Sequence, residues 1–122
     1  MTVKAIALLK RKPGIGRDAF VRHYETSHVP LMMGLLRGVV DYRRNYVSGV
    51  DSVAGPAAAP FGYDSVTELW FEDRAAFDDA MRIMSDPERG PKVAEDEEHF
   101  IDRPATQMFL VEEHGPNRST GR

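Results

Sequence analysis

No cysteine occurs anywhere in the 122 residues. That removes disulfides, thiolate nucleophiles and cysteine-held zinc or iron–sulfur clusters from the chemistry open to this chain. No run approaches the ~18 consecutive apolar residues that a membrane-spanning helix needs. The opening from Met1 to Lys12 holds an apolar stretch of only about five residues between lysines, without a small-residue cleavage site, so it does not read as a secretion signal. A cytoplasmic location is the expectation. Basic clusters are equally scarce: net charge is −3 and nothing exceeds Lys10-Arg11-Lys12 or Arg43-Arg44. A counterion-releasing surface for nucleic acid is therefore not expected. The four histidines are scattered, with no i, i+4 pair and no His-x-His on a strand, so no metal site is expected. Lys12-Pro13-Gly14-Ile15-Gly16 has two glycines but lacks the dinucleotide fingerprint and reads as a turn. There is no Gly-x-Ser-x-Gly elbow either. If the chain is an enzyme, a cofactor-free mechanism is the economical expectation.

What is present is one domain's worth of chain, 42% hydrophobic and 29% charged, as in an ordinary globular protein. Val3 to Leu9 reads as a strand closed by Pro13-Gly14. From Arg17 the period becomes helical through Phe20, Tyr24 and His28. Pro30 lacks an N–H, so the helix is expected to kink, break or restart near Ser27 to Val29 before continuing through Leu31, Met32, Leu35 and Leu36 to Gly38. Val39 to Val47 alternates, with Val40, Tyr42, Arg44 and Tyr46 opposite Asp41, Arg43, Asn45 and Val47. Gly49 to Gly62 reads as a long loop of the kind used as a lid, an interface arm or a disordered segment. Ser65 to Phe71 alternates again, Val66, Glu68 and Trp70 opposite Thr67, Leu69 and Phe71. Asp73 is placed to cap a helix bearing Phe77, Ala80, Met81 and Met84. A short helical segment through Val93, Asp96 and Phe100 precedes a last strand, Thr106 to Val111.

This order, with the short extra helix, is the split βαβ of an α+β, ferredoxin-like βαββαβ fold with one antiparallel four-stranded sheet. Helices cover only one sheet face, and apolar groups on the other predict a homodimer. Residues 1–114 form the expected domain and 115–122 a flexible tail.

Within that frame the sequence offers several chemical groups. Phe20, Tyr24 and His28 recur at i, i+4 and i+8 and stack on one helix face. An imidazole titrates near neutrality and suits proton transfer at His28, but the same residue can serve as a structural histidine bonded to a carbonyl freed near Pro30. Glu68 shares a strand face with Trp70. Against apolar surface its carboxyl would be raised into a useful range, whereas an ion pair to Arg43 or Arg44 would leave it structural. Tyr46 and Tyr24 can stabilise a carbonyl oxygen gaining charge, or pack at a rim. Arg44, on the face of Tyr46, can hold an anionic group in a fork or pair with acidic neighbours. Asp64 stands just before the third strand, in a proton-transfer or a loop role. Asp96 and Phe100, four apart, point either into a pocket or into structure; His23, His99 and His114 read as surface.

Taken in order, Leu8 to Gly14, the Phe20…Tyr24…His28-Val29-Pro30-Leu31 segment, Glu68-Leu69-Trp70-Phe71 and Asp96 to Phe100 resemble the EthD domain family. The resemblance implies the dimeric α+β barrel superfamily. It also favours a functional role for the histidine before the proline, and a pocket or structural role for Asp96 and Phe100. Relatives include proteins linked to ether degradation, methylmuconolactone isomerases and dehydratases of aromatic polyketide pathways, so the fold narrows the activity without fixing it.

The resulting expectation is a cofactor-independent isomerase, dehydratase or cyclase acting on a small hydrophobic carbonyl compound, aromatic or polyketide-like. His28 would move the proton, with Glu68 and Tyr46 beside it. Phe20, Tyr24, Arg44, Asp64, Trp70, Asp96 and Phe100 would bind substrate, and the methionines would help wall the pocket. The alternatives are a non-catalytic dimeric module that binds a hydrophobic ligand or assists a catabolic pathway, and a cofactor-free monooxygenase.

Overall fold

The structure is a computed structural model that describes residues 1–47 and 61–119. Four antiparallel strands, β1 (Val3–Leu9), β2 (Val39–Tyr46), β3 (Ser65–Phe71) and β4 (Gln107–Val111), form a single sheet in the order β2-β3-β1-β4. This is the ferredoxin-like arrangement that the element order implied. The predicted lid, Gly49 to Gly62, lies almost wholly outside the described residues.

Helices α1 (Arg17–His23), α2 (Val29–Leu35), α3 (Arg74–Ser85) and α4 (Gly90–Glu98) accompany the sheet. Asp73 caps α3 as its position promised, its carboxylate accepting the Ala76 N–H at 2.8 Å. Gly90 lets α4 start tight against the end of α3: a Cβ there would collide with the Met84 carbonyl. That close approach sets the position of Asp96, six residues further on.

The kink, break or restart expected near Ser27 to Val29 takes the form of a restart: α1 ends at His23 and α2 begins at Val29. A π-helical turn, Tyr24–His28, joins α1 to α2, and Pro30 sits in the first turn of α2, where its missing N–H costs least. The wider turn relieves the clash a proline ring makes with the carbonyl four residues back. Helical periodicity thus survives, and Phe20, Tyr24 and His28 are all buried.

Strand alternation assigns the helix-covered face to Ala5, Ala7 and Leu9 of β1, Ser65, Thr67, Leu69 and Phe71 of β3, and Tyr42, Arg44 and Tyr46 of β2. A bulge between Val39 and Asp41 turns Val40 outward. Two hydrophobic clusters fill the space beneath the helices. One gathers Met32, Leu36, Leu69, Phe71, Ile83 and Val93; the other gathers Leu9, Phe20, Tyr24, Phe100 and Ile101. Ala5 belongs to the first and Ala7 to the second. Their small side chains on the central strand, with Thr67 beside Ala7, leave room between the clusters.

Candidate functional site

A cavity of about 120 Å3 occupies that seam. Ala7, Leu9, Thr67, Leu69 and Phe71 form its sheet side, Tyr24, His28, Met32 and Leu36 the helical side, and Tyr42, Met81, Met84, Glu97, Thr106 and Met108 complete it. Met108 is 45% exposed, so the cavity reaches the surface beside β4. Four of the six methionines lie in this wall. Flexible thioether side chains repack easily and contact aromatic rings favourably.

His28 comes to the cavity from the last residue of the π turn. Its Nδ1–H donates to Oδ2 of Asp96 at 2.9 Å, which fixes the tautomer and leaves Nε2, across the ring, as the unprotonated nitrogen. Nε2 makes no hydrogen bond among the described residues. Tyr24 and Phe100 brace the imidazole, with ring centroids 5.5 and 5.0 Å away. Asp96 also accepts from Ser27 Oγ at 2.6 Å and from His23 Nε2 at 3.0 Å. Burial works against its charge, but the donors from Ser27, His28 and His23 outweigh burial and hold the carboxyl below its ordinary value. The carboxylate therefore stays ionised, as an anchor for the imidazole should.

A second polar element crosses the cavity wall as a chain of hydroxyls. Tyr42 donates to Tyr24 at 3.2 Å, Tyr24 and Thr67 share a bond of 2.8 Å, and Thr67 and Ser65 one of 3.0 Å. Burial pushes the Tyr24 and Tyr42 phenols up, so both remain protonated and act as donors rather than bases.

The residues singled out from sequence divide sharply. Tyr24 and His28 line the cavity, and Asp96 points inward behind His28. Phe20 and Phe100 are fully buried and pack against each other at 5.7 Å, supporting the site from outside the cavity wall. Tyr46 lies on the helix side, but its hydroxyl donates to Glu25 and it does not line the cavity. Arg44 commits its fork to the same Glu25, through Nε at 2.9 Å and Nη2 at 2.7 Å, so it is not open to a substrate anion.

Glu68 and Trp70 are corrected outright. Both lie on the opposite sheet face, because the inward positions of β3 belong to Ser65, Thr67, Leu69 and Phe71. Glu68 pairs with Lys4 at 2.8 Å and accepts from Asn45 at 2.9 Å. The Lys4 bond, foremost, holds its carboxyl below the ordinary range rather than raising it. Trp70 donates from Nε1 to Glu113 at 2.6 Å, and the Lys4 ammonium stands 4.4 Å from its ring centroid. Asp64 accepts the Arg11 N–H at 2.9 Å, a loop role outside the cavity. His23, expected at the surface, is half-buried on Asp96. Thr67, Tyr42 and Glu25 were missed. For the first two the available signal was Tyr42's place on the Arg44/Tyr46 face and the pair of alanines on β1, which calls for something other than close packing above them.

Residues 12–104 match the EthD domain. The chain belongs to the EthD domain family. It is 27% identical over 108 residues to the conidial pigment biosynthesis dehydratase EthD of Metarhizium robertsii, covering 82% of this chain and 74% of that protein. Its fold resembles an ethyl tert-butyl ether D family protein of Bacillus halodurans, with a TM-score of 0.63, 24% identity, and coverage of 93% and 100% of the two chains. It also resembles a dimeric Bacteroides fragilis protein of unknown function and ferredoxin-like fold, with a TM-score of 0.55, 10% identity, and coverage of 92% and 96%. No helix among the described residues is long and apolar enough to cross a membrane, and no group of three or more His, Cys, Asp or Glu there is arranged to hold a metal ion.

Proposed function

We propose that this EthD domain is a cofactor-independent dehydratase or isomerase of small, hydrophobic, carbonyl-bearing ring compounds. The observation that carries this reading is the His28–Asp96 pair: a carboxylate-anchored imidazole with its other nitrogen unpaired, at the wall of an apolar cavity. The dehydratase name of the Metarhizium relative supports the same class of reaction.

In this mechanism Nε2 of His28 removes a proton from the carbon next to a carbonyl. The C–H electron pair forms a double bond to the carbonyl carbon and the carbonyl π pair moves onto oxygen. That oxygen accepts a hydrogen bond from Tyr42 as it gains charge once the hydroxyl chain reverses, Thr67 donating to Tyr24 and Tyr24 to Tyr42. The enolate then re-forms the carbonyl and expels a β-hydroxyl, which leaves as water with the proton from the imidazolium. Where no β-hydroxyl exists, that proton returns to another carbon and the outcome is isomerisation. Asp96 supports the transient imidazolium throughout. An apolar space of roughly 150 Å3 admits a benzene ring; the cavity, at about 120 Å3, is somewhat smaller and takes one ring when its flexible methionines move aside.

The chain is also proposed to act as a homodimer through its uncovered sheet face, where Val40 and Phe109 are exposed among the half-buried Ile6, Leu8 and Val66. The dimeric Bacteroides fragilis protein of like fold supports this assembly.

A panel of monocyclic and bicyclic β-hydroxy ketones tests the reaction, with water loss followed by absorbance and mass. His28→Ala is expected to lower turnover by about 10²–10⁴ with the fold retained. A folded His28→Ala protein that turns over as the parent does would remove His28 from the mechanism.

A further inference from the structure

We propose that His23 is a positioning residue that tunes His28 through the carboxylate they share. This rests on the reading of His28 as the working base, but the coupling it predicts is measurable without any turnover. The geometry is that of one acceptor between two imidazoles. Asp96 takes His28 Nδ1–H on Oδ2 at 2.9 Å and His23 Nε2–H on Oδ1 at 3.0 Å, while Ser27 adds 2.6 Å to Oδ1.

The two imidazoles differ in access to water. The His28 side chain is 5% exposed and belongs to the cavity, whereas that of His23 is 25% exposed. His23 is held in place by stacking, with the Phe100 ring 4.8 Å away and the His99 ring 5.6 Å away. Solvent therefore reaches the imidazole that does no chemistry, and the carboxylate passes its charge state inward.

The sign follows from electrostatics. When His23 is neutral, the full negative charge of Asp96 supports a proton on His28. When His23 gains a proton, its positive charge offsets that carboxylate, and His28 gives up its own proton more readily. Acidification would thus restrain the rise in His28 protonation that it causes. The base would stay usable over a wider range of pH than a lone His–Asp pair allows.

Other ionisable groups surround the pair. His99 stacks on His23; Lys92 and Glu95 share an outer groove with Asp96, Ser27 and His99; Glu97 stands at the cavity side; Tyr24 and Tyr42 flank the inner wall. The charges of Lys92 and Glu95 are opposite and partly cancel. His99 is the further imidazole in contact with His23, so it needs its own control.

The test is an NMR titration of the His28 ring in the full chain, with that signal assigned by its loss in His28→Gln. Two substitutions at position 23 push in opposite directions. His23→Gln keeps a neutral amide donor, and His23→Arg fixes a positive charge. The His28 titration is expected to move to higher pH in His23→Gln and to lower pH in His23→Arg, each by about 0.5 pH units or more. His99→Gln should move it less than either. A purely structural His23 would leave the midpoint unmoved in both folded variants, or shift it the same way in both. Either result overturns the proposal.

The pH profile of turnover separates this from the parent reading. If the opposite shifts appear but His28→Ala leaves turnover intact, the coupling stands and the catalytic assignment fails. If His28→Ala abolishes turnover while the titration midpoint stays fixed, catalysis stands and the role of His23 fails. Should His23→Gln prevent folding, His23→Asn supplies the neutral amide, and should His23→Arg prevent it, His23→Lys supplies the fixed positive charge, so that the two directions are still compared.

Discussion

Nδ1 of His28 lies 2.9 Å from Oδ2 of Asp96, joining residues 68 apart in sequence. The imidazole comes from the π turn and the carboxylate from α4, so their meeting depends on how α4 docks. Asp96→Asn keeps the shape and removes the charge that supports an imidazolium. Turnover is expected to fall about 10²–10⁴, with far-ultraviolet circular dichroism unchanged. A folded Asp96→Asn enzyme of normal rate would show that the carboxylate only holds structure.

Acid sensitivity follows from the same group and its counterparts. Asp96, Glu68 and Glu25 all have carboxyls held below their ordinary values of 3.8 for Asp and 4.5 for Glu. A carboxyl depressed in the folded state contributes stability that is present above its unfolded value and is lost as pH falls through the folded one. Urea melts are expected to show little change in stability from these groups between pH 7 and pH 5, then a progressive loss below about pH 4.5. Asp96→Asn should flatten part of that acid limb. An unaltered slope would mean that the three donors give the carboxylate no net preference for the folded state.

How far the sequence reached depends on the kind of information each feature needs. The helical face of Phe20, Tyr24 and His28, the Asp73 cap and the strand–helix order were legible because each is written in local spacing. The face of β3 was not. Alternation separates Val66, Glu68 and Trp70 from Thr67, Leu69 and Phe71, but it does not say which set turns inward. The chemically richer set drew the assignment, whereas burial followed Leu69 and Phe71. Nor does spacing along α4 reveal that Asp96 meets three donors, since Ser27, His28 and His23 lie about seventy residues away. The π turn at Tyr24–His28 also escaped, because Pro30 signals a local conflict without indicating how a helix absorbs it.

Tyr42→Phe removes the outermost phenol of the hydroxyl chain and leaves its ring in the wall. Turnover is expected to drop about 10–10³-fold, as for loss of one donor to a developing oxyanion, with little change in melting. Tyr24→Phe differs, because Tyr24 is buried between Tyr42 and Thr67. It should also cost about 1–3 kcal/mol in a denaturant melt, as both neighbours lose a partner. Equal stability losses in the two variants would contradict the chain as described.

Glu68→Gln tests the corrected face assignment. The carboxylate lies on the sheet surface away from His28 and bonds to Lys4, so turnover should stay within about twofold while stability changes by about 0–1 kcal/mol. A hundredfold loss of rate with an intact fold would return Glu68 to the mechanism.

Met108→Trp tests whether the seam beside β4 is the way in. Met108 lines the cavity yet is 45% exposed, so it stands where the cavity meets the surface, and a larger side chain there fills empty space without disturbing the core. Its neighbour across the sheet is Ala7, and the indole has space above that alanine only by occupying the cavity. Stability should therefore change by no more than about 0.5 kcal/mol, while binding of a one-ring ketone, followed by calorimetry, weakens at least about tenfold. Met108→Ala makes the opposite change: it widens the mouth, so a bicyclic ligand should gain affinity relative to a monocyclic one. If both variants bind both ligands as the parent does, substrates do not enter between β4 and α3, and the cavity at His28 is reached from another side.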